Sequence, residues 1–230
     1  SSNVSGGCAP LTGVQFFNDY NNPINVNWDF DDGASASILE PSHNFIAVGV
    51  YTVVFTATVD GVPINDELII EVFGNPSPSF DILSPSEGCV GMFVDFDDTS
   101  TGSGSSTVVD WEWAFGDGGV SNDADDSPTY QYNLPGVFDV SLIITDSNGC
   151  DSVFTMVDAI SVSNVPNMQV FTNPFPPTSC EPPLDVTFNN NSTSNSPLGG
   201  GLDFSWDFDN GETSTLEDPG TITFVDPDVY

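Results

Sequence analysis

The chain has 230 residues, 34 Asp and Glu, one His and no Lys or Arg, for a formal net charge of −34. Nucleic acid and anionic lipid are excluded as partners, because both bind through basic side chains and here the electrostatic term is repulsive. With 38% hydrophobic residues, 18 of them Phe, the chain can bury a core and is not a disordered polyanion, yet no apolar run approaches the roughly 18 residues of a membrane span.

Taken in chain order, Ser1–Gly7 has neither the basic start nor the apolar run of a signal peptide. Cys8 leads into an alternating strand with Leu11, Val14 and Phe16. Trp28-Asp29-Phe30-Asp31-Asp32-Gly33 follows. Its Trp28 and Phe30 share one face of a strand, a core face, and Asp-Gly ends it in a turn. Pro41-Ser42-His43-Asn44-Phe45 and Gly49-Val50-Tyr51-Thr52-Val53 read as further strands, Asp60-Gly61 as a turn, and Asn75-Pro76-Ser77-Pro78 as a short stiff linker. The same order then recurs. Cys89, then Met92, Val94 and Phe96, precede Trp113-Ala114-Phe115-Gly116-Asp117-Gly118, Pro128-Thr129-Tyr130-Gln131-Tyr132, Gly136-Val137-Phe138-Asp139-Val140 and the turn Asn148-Gly149-Cys150. After a second junction near 163–167, Cys180, then Leu184, Val186 and Phe188, precede Trp206-Asp207-Phe208-Asp209-Asn210-Gly211.

These are internal repeats, placed at 1–73, 74–164 and 165–230. The first is short of most of its initial strand. The third stops at Tyr230, opposite Tyr51 of the first, so the natural chain is expected to continue. Short strands with turn signals every 8–12 residues or so give a seven-stranded, Ig-like sandwich. Trp28, Trp113 and Trp206 are all expected to be buried, and no helix longer than a turn or two is expected.

The W-x-F-x-[DN]-G motif, with Trp28, Phe30 and Gly33, Trp113, Phe115 and Gly118, and Trp206, Phe208 and Gly211, resembles the PKD (polycystic kidney disease) domain. So do P-[ST]-[HY]-x-[FY] and G-x-[YF]-x-V. The likeness departs from the family at Asp31 and Asp209, where the family has the Gly kept at Gly116. It implies an all-β chain of tandem Ig-like (PKD-type) β-sandwiches arranged head to tail. The Gly7-Cys8-Ala9-Pro10-Leu11 start and the Asn148-Gly149-Cys150 turn are similar to tandem repeats of large Bacteroidota surface proteins, which include adhesins exported by the type IX system.

No enzyme is expected. The single histidine, His43, falls at the family's His position, where the ring packs and hydrogen-bonds near the Trp, and no G-x-S-x-G nucleophile elbow is present. A pair of carboxylates on so acidic a chain carries no weight. Calcium is the one cofactor with a mechanism, because hard cations take six to eight or so oxygen ligands. Asp29, Asp31 and Asp32, Asp97 and Asp98, and Asp207, Asp209 and Asp218 are acid clusters on turns, and the densest candidate is Asp117 with Asp123, Asp125 and Asp126. The competing reading is that these are turn residues held by their own backbone.

Within the sandwich implied by the resemblance, Cys89 and Cys150 lie at opposite ends of strands running the same way, about 20 Å apart. A disulfide requires Cα atoms within about 4.4–6.8 Å. The expected pair is therefore Cys8–Cys150, between repeats, with Cys89–Cys150 as the alternative. Asn3-Val4-Ser5 and Asn190-Asn191-Ser192 fit a glycan acceptor pattern, as does Asp151-Ser152-Val153 for an O-linked one; both are weak signals.

The expected role is a structural or adhesive segment of an extracellular, cell-surface stalk, filament or adhesin. Its partners would be neighbouring domains of the same longer chain or assembly and a carbohydrate or protein surface ligand. The alternatives are an accessory PKD module of a secreted polysaccharidase or protease, or a surface-layer or sheath subunit.

Overall fold

The computed structural model of the chain describes residues 1–121, 126–179, 181–194 and 201–226. Among them every regular element is a strand. The first repeat supplies β1 (Gly6–Cys8), β2 (Leu11–Gln15), β3 (Ile24–Asp29), β4 (Ser35–Ala36), β5 (Ser42–Phe45), β6 (Gly49–Val59) and β7 (Val62–Phe73). The second supplies β8 (Phe80–Ile82), β9 (Glu87–Cys89), β10 (Met92–Asp98), β11 (Val108–Ala114), β12 (Val120–Ser121), β13 (Thr129–Tyr132), β14 (Gly136–Asp146) and β15 (Asp151–Ser163). The third supplies β16 (Val170–Asn173), β17 (Leu184–Asn190), β18 (Trp206–Asp207), β19 (Thr213–Ser214) and β20 (Gly220–Phe224).

The chain packs as two compact units, and their boundary runs through the long strands of the second repeat. One unit comprises Ser1–Leu83, Asp95–Pro128 and Val140–Met156; the other comprises Ser84–Val94, Thr129–Asp139 and the chain from Val157 onward.

In the first unit, the first repeat faces the sheet β1-β7-β6-β3-β4 against the pair β2-β5. Alternation on β6 turns Val53, Phe55 and Ala57 inward, where they meet Val14, Phe16, Trp28, Phe30, Phe45, Ile70 and Val72. The hairpin between β6 and β7 closes on two residues with positive φ, Asp60 (50°) and Gly61 (79°). This two-residue geometry matches the strand twist, and it sets a continuous register from Val59↔Val62 to Gly49↔Val72. The same unit buries Phe80, Phe96, Trp113, Phe115, Leu142 and Ile144 of the second repeat.

In the second unit, Val94, Tyr132, Ile160 and Val162 are buried. Among the described residues of the third repeat, the sheets β16-β17-β20 and β18-β19 bury Val186, Phe208, Ile222 and Phe224, with Leu184, Phe188 and Trp206 partly buried against them.

One aromatic arrangement recurs in each repeat. A Phe from the strand after the cysteine sits between the motif's Trp and Phe: Phe16 at 5.3 Å from both Trp28 and Phe30, Phe96 at 5.5 Å from both Trp113 and Phe115, and Phe188 at 6.0 and 5.1 Å from Trp206 and Phe208. Tilted ring pairs at such distances add about 0.5–1.5 kcal/mol each beyond area burial.

The expectation of three buried Trp residues needs one correction. Trp28 and Trp113 are 3% and 1% exposed, but Trp206 is only half-buried. Among the described residues fewer strands pack around it, and its Nε1 donates to the Leu216 carbonyl at 2.9 Å near the surface. Trp113→Ala should therefore cost about 3–5 kcal/mol, as for other large core truncations, and Trp206→Ala distinctly less. Urea unfolding followed by circular dichroism measures both; equal losses would contradict this packing difference.

Candidate functional site

With no cationic side chain but His43, carboxylates must find their donors elsewhere. The turn ending each Trp motif shows how. The Ala34 amide donates to Asp32 Oδ1 at 3.0 Å, the Gly119 amide to Asp117 Oδ1 at 2.9 Å and the Glu212 amide to Asn210 Oδ1 at 2.9 Å. A backbone bond closes the same turn in each repeat, from Phe30 to Ala34, Phe115 to Gly119 and Phe208 to Glu212.

The structure also accounts for the departures from the family motif. The residue after the motif Phe has positive φ in all three copies: Asp31 at 64°, Gly116 at 85° and Asp209 at 55°. Gly takes this conformation freely, and Asp tolerates it when a local hydrogen bond supports it. That bond exists where the residue two before is Asp: the Asp31 amide donates to Asp29 Oδ1 at 3.1 Å and the Asp209 amide to Asp207 Oδ1 at 3.0 Å. Where that residue is Ala114, the position is Gly116.

Of the calcium candidates, Asp117 is engaged with the Gly119 amide, Asp126 is exposed, and Asp123 and Asp125 lie outside the described residues. Among the described residues no group of three or more His, Cys, Asp or Glu side chains is gathered as a metal set.

His43 does not sit on the Trp. Its ring stacks flat on Phe30, with centroids 4.1 Å apart, meets Phe45 edge-on, and places Nε2 2.7 Å from Asp32 Oδ2. Burial by itself disfavours ionisation of Asp32, but hydrogen bonds from His43 and the Ala34 amide outweigh it and hold the carboxyl below its ordinary 3.8.

The most constrained constellation is built around Cys150. It follows β14 in a turn and is fully buried. Its Sγ is bonded to that of Cys8, with Cα atoms 5.5 Å apart, so β1 of the first repeat is joined to the β14–β15 turn of the second. Cys89 is free and exposed, so the alternative pair Cys89–Cys150 does not form; Cys89 lies on β9, at the far end of its repeat's strands from that turn. Cys180 lies outside the described residues.

What holds the turn is Asp146, 1% exposed. Its Oδ1 accepts the Asn148 and Cys150 amides at 3.0 Å each, and its Oδ2 accepts the Ser106 hydroxyl at 2.6 Å. Burial again opposes ionisation, and these donors more than offset it, so the Asp146 carboxyl also titrates below 3.8. Three donors converging on one carboxylate are the signature of an ionised acid kept without a cation. Sequence reading missed Asp146 and Ser106. The signal was present: an Asp at the end of a long apolar strand, four residues before a Cys.

On the first repeat, a cleft of about 140 Å³ opens beside Trp28 and Phe55. Tyr20 donates its hydroxyl to Asp66 Oδ2 at 2.6 Å across it, which raises the Tyr20 pKa. None of the four Trp residues is fully exposed, so no flat indole platform is presented.

A family model described as PKD domain matches residues 2–68 and 75–162. The chain belongs to the PKD domain family. It is 35% identical over 100 residues to Collagenase ColA of Clostridium perfringens and 34% identical over 87 residues to a microbial collagenase of Vibrio alginolyticus. These matches take 44% and 38% of this chain but only 8% and 10% of the two collagenases, so the PKD chain corresponds to a small part of each. Among solved structures it is similar to the PKD1 domain of the Vibrio cholerae metalloprotease PrtV, at 24% identity and a TM-score of 0.32, over 38% of this chain and 98% of that one.

Two outcomes follow from the Asp146–Cys150–Cys8 arrangement. A carboxyl depressed in the folded chain lends stability that is full above its unfolded pKa and is lost as pH falls through the folded one. The stability difference between the wild type and Asp146→Asn should therefore stay constant from pH 7 to about 5 and shrink below 3.8. Taking the difference cancels the general relief of acid–acid repulsion. A difference that persists at pH 2 would show that the charge is not what holds the turn. Separately, the disulfide closes a loop with a sequence separation of 142. Cys8→Ser with Cys150→Ser should lower stability by about 2–5 kcal/mol, read as a lower urea midpoint, and an unmoved midpoint would contradict the cross-link's role.

Proposed function

We propose that this PKD chain is a load-bearing spacer in an extracellular protein, a stalk segment that holds a binding or catalytic region away from its anchor. The observation that carries this reading is the Cys8–Cys150 bond. It joins the first strand of one repeat to a turn of the next, so tension entering at Cys8 passes through the S–S bond and does not unravel the chain between. The fully acidic surface fits the setting: without Lys or Arg, a trypsin-like protease has no bond to cut, and an oxidising compartment keeps the disulfide intact.

Single-molecule pulling on the chain tests the reading. Oxidised, the segment between Cys8 and Cys150 should not contribute to extension. Reduced, it should add up to roughly 500 Å, at about 3.3–3.6 Å per residue over the 142-residue separation. Identical extension in both states would overturn the proposal.

The likeness to two collagenases favours a second reading, an accessory module of a secreted protease. Co-sedimentation with collagen fibrils separates the two: retention of the isolated chain supports the accessory module, and its absence together with the redox-dependent extension supports the spacer. Calcium at the Asp117–Asp126 turn is a further part of the proposal. Calcium should raise the melting midpoint above that in sodium chloride of equal ionic strength, the added stability being about 2.7 kcal/mol at a hundredfold excess over Kd. Equal midpoints in the two salts would leave the acids as solvated turns.

A further inference from the structure

The Cys8–Cys150 bond meets solvent from one side only. Cys150 is fully buried, whereas Cys8, at the end of β1, keeps part of its surface. Disulfides are reduced by a thiolate that attacks one of the two sulfurs, so access decides which one. In the folded chain the sulfur that can be reached is that of Cys8, and the group that must leave is the Cys150 thiolate.

The charges placed around the pair have one sign. Asp146 accepts the Cys150 amide at 3.0 Å. Asp151 follows Cys150 directly and is exposed. Glu71, also exposed, pairs with Gly6 two residues before Cys8. No Lys or Arg exists anywhere in the chain to offset them. Reactive cysteines sit in electropositive surroundings that favour the thiolate; this pair has the reverse. Burial and neighbouring carboxylates disfavour a thiolate at Cys150, and a poor thiolate is a slow leaving group. The attacking molecule feels the same field. A thiolate that carries a further carboxylate is repelled more strongly than a neutral one, and a thiolate that carries an ammonium is drawn in.

We propose that Cys8–Cys150 is a charge-selective redox cross-link, which opens only through Cys8, fast to cationic thiols and slowly to anionic ones. In the first step a thiolate forms a bond to Cys8 Sγ as the S–S bond breaks, and the electron pair leaves on Cys150 Sγ, which takes a proton from water. In the second, another thiolate attacks the small thiol's sulfur in the mixed disulfide, releasing the small disulfide and the Cys8 thiolate, which is protonated in turn. The bonds that hold the turn, from the Asn148 and Cys150 amides and the Ser106 hydroxyl to Asp146, involve neither sulfur. They keep the departed Cys150 facing the mixed disulfide, so reclosure competes with the second step. The proposal goes beyond the spacer reading and does not depend on it.

The test compares three small thiols on the oxidised chain: cysteamine, mercaptoethanol and mercaptopropionate, which are cationic, neutral and anionic. The free, exposed Cys89 is first blocked with iodoacetamide. Loss of the Cys8–Cys150 pair is followed by acid quenching, alkylation in urea, digestion with Asp- and Glu-specific proteases and mass spectrometry. Rates are divided by thiolate concentration and by the rate of the same thiol on a small neutral disulfide. Cysteamine should then exceed mercaptopropionate by about tenfold or more at low ionic strength. The gap should close in about 1 M sodium chloride, where the Debye length falls to roughly 3 Å. Early in the reaction the small thiol should be found on Cys8 and the alkyl group on Cys150. Equal normalised rates at low salt, a gap that salt leaves unchanged, small thiol on Cys150, or a bond that opens only in urea would each overturn the proposal. The spacer reading would survive any of these, since it turns on extension with and without the bond and not on which thiol removes it.

Discussion

Backbone amides are the counter-charge of this chain. A soluble protein normally pairs some of its carboxylates with Lys and Arg; here there are none to pair with. Many of the described acids accept backbone N–H groups, and others accept hydroxyls, as Asp66 does from Tyr20 and Asp146 from Ser106. Asp29, Asp32, Asp117 and Asp207 each accept an amide two residues on, and Asp146 accepts two. Asp31 reaches across to the Thr52 amide at 2.9 Å. Such bonds stabilise a charged acceptor more than a neutral one; Asp29, Asp207 and Asp146 accept theirs at the last position of a strand, and Asp32 and Asp117 in the turn that follows one. The acids are therefore not merely solvated decoration. They are the fasteners of the loops, and the strands between them are left to hydrophobic burial.

The same constraint shapes how the repeats diverge. The first repeat closes its last hairpin with Asp60-Gly61, which needs only two positive φ values and no side-chain acceptor. The second extends that connection to Ser147–Cys150 and must hold a buried cysteine in place, and it does so with a buried carboxylate. A buried ionised acid is costly unless several donors meet it, and Ser106, from a different loop, supplies the donor that the turn itself lacks. Position and chemistry thus arrive together: the repeat with the Cys in its turn is the repeat with the Asp four residues before it.

Much of this was legible in the sequence, and for a physical reason. The period-two alternation of Val94 with Phe96, or of Trp113 with Phe115, directly encodes the core face of a strand, and it came out buried in both cases. The Asp-Gly and Asn-Gly pairs encode turns through backbone conformation. Less legible were features that depend on how many neighbours a residue meets. Trp206 carries the same motif as Trp113 but, among the described residues, has a smaller buried cluster around it, and a local motif cannot count its cover. Asp146 was hidden among 34 acids, because composition gives no sign of which carboxylate is buried. For His43 the resemblance implied a ring that packs and hydrogen-bonds near the Trp; that the ring stacks on Phe30 and bonds Asp32 is set by three-dimensional packing that a local motif does not show.

The strand order gives the spacer reading a mechanical basis beyond the disulfide. β1 and β7 are the first and last strands of their repeat and run parallel; in the next repeat the last strand, β15, also has a parallel partner, but it is β9, which follows β8. Tension applied through the chain pulls the start of one strand and the end of the other in opposite directions along their common axis. Every hydrogen bond of the ladder is then loaded at once, in shear, instead of one after another as when a hairpin is peeled apart. Parallel pairing of terminal strands therefore resists extension even when the cysteines are reduced. The cross-link at Cys8 sits at the end of this clamp, one residue before the Ala9 amide that closes it onto Phe73. In the spacer reading it would take up the load at the point where the clamp would otherwise begin to slide.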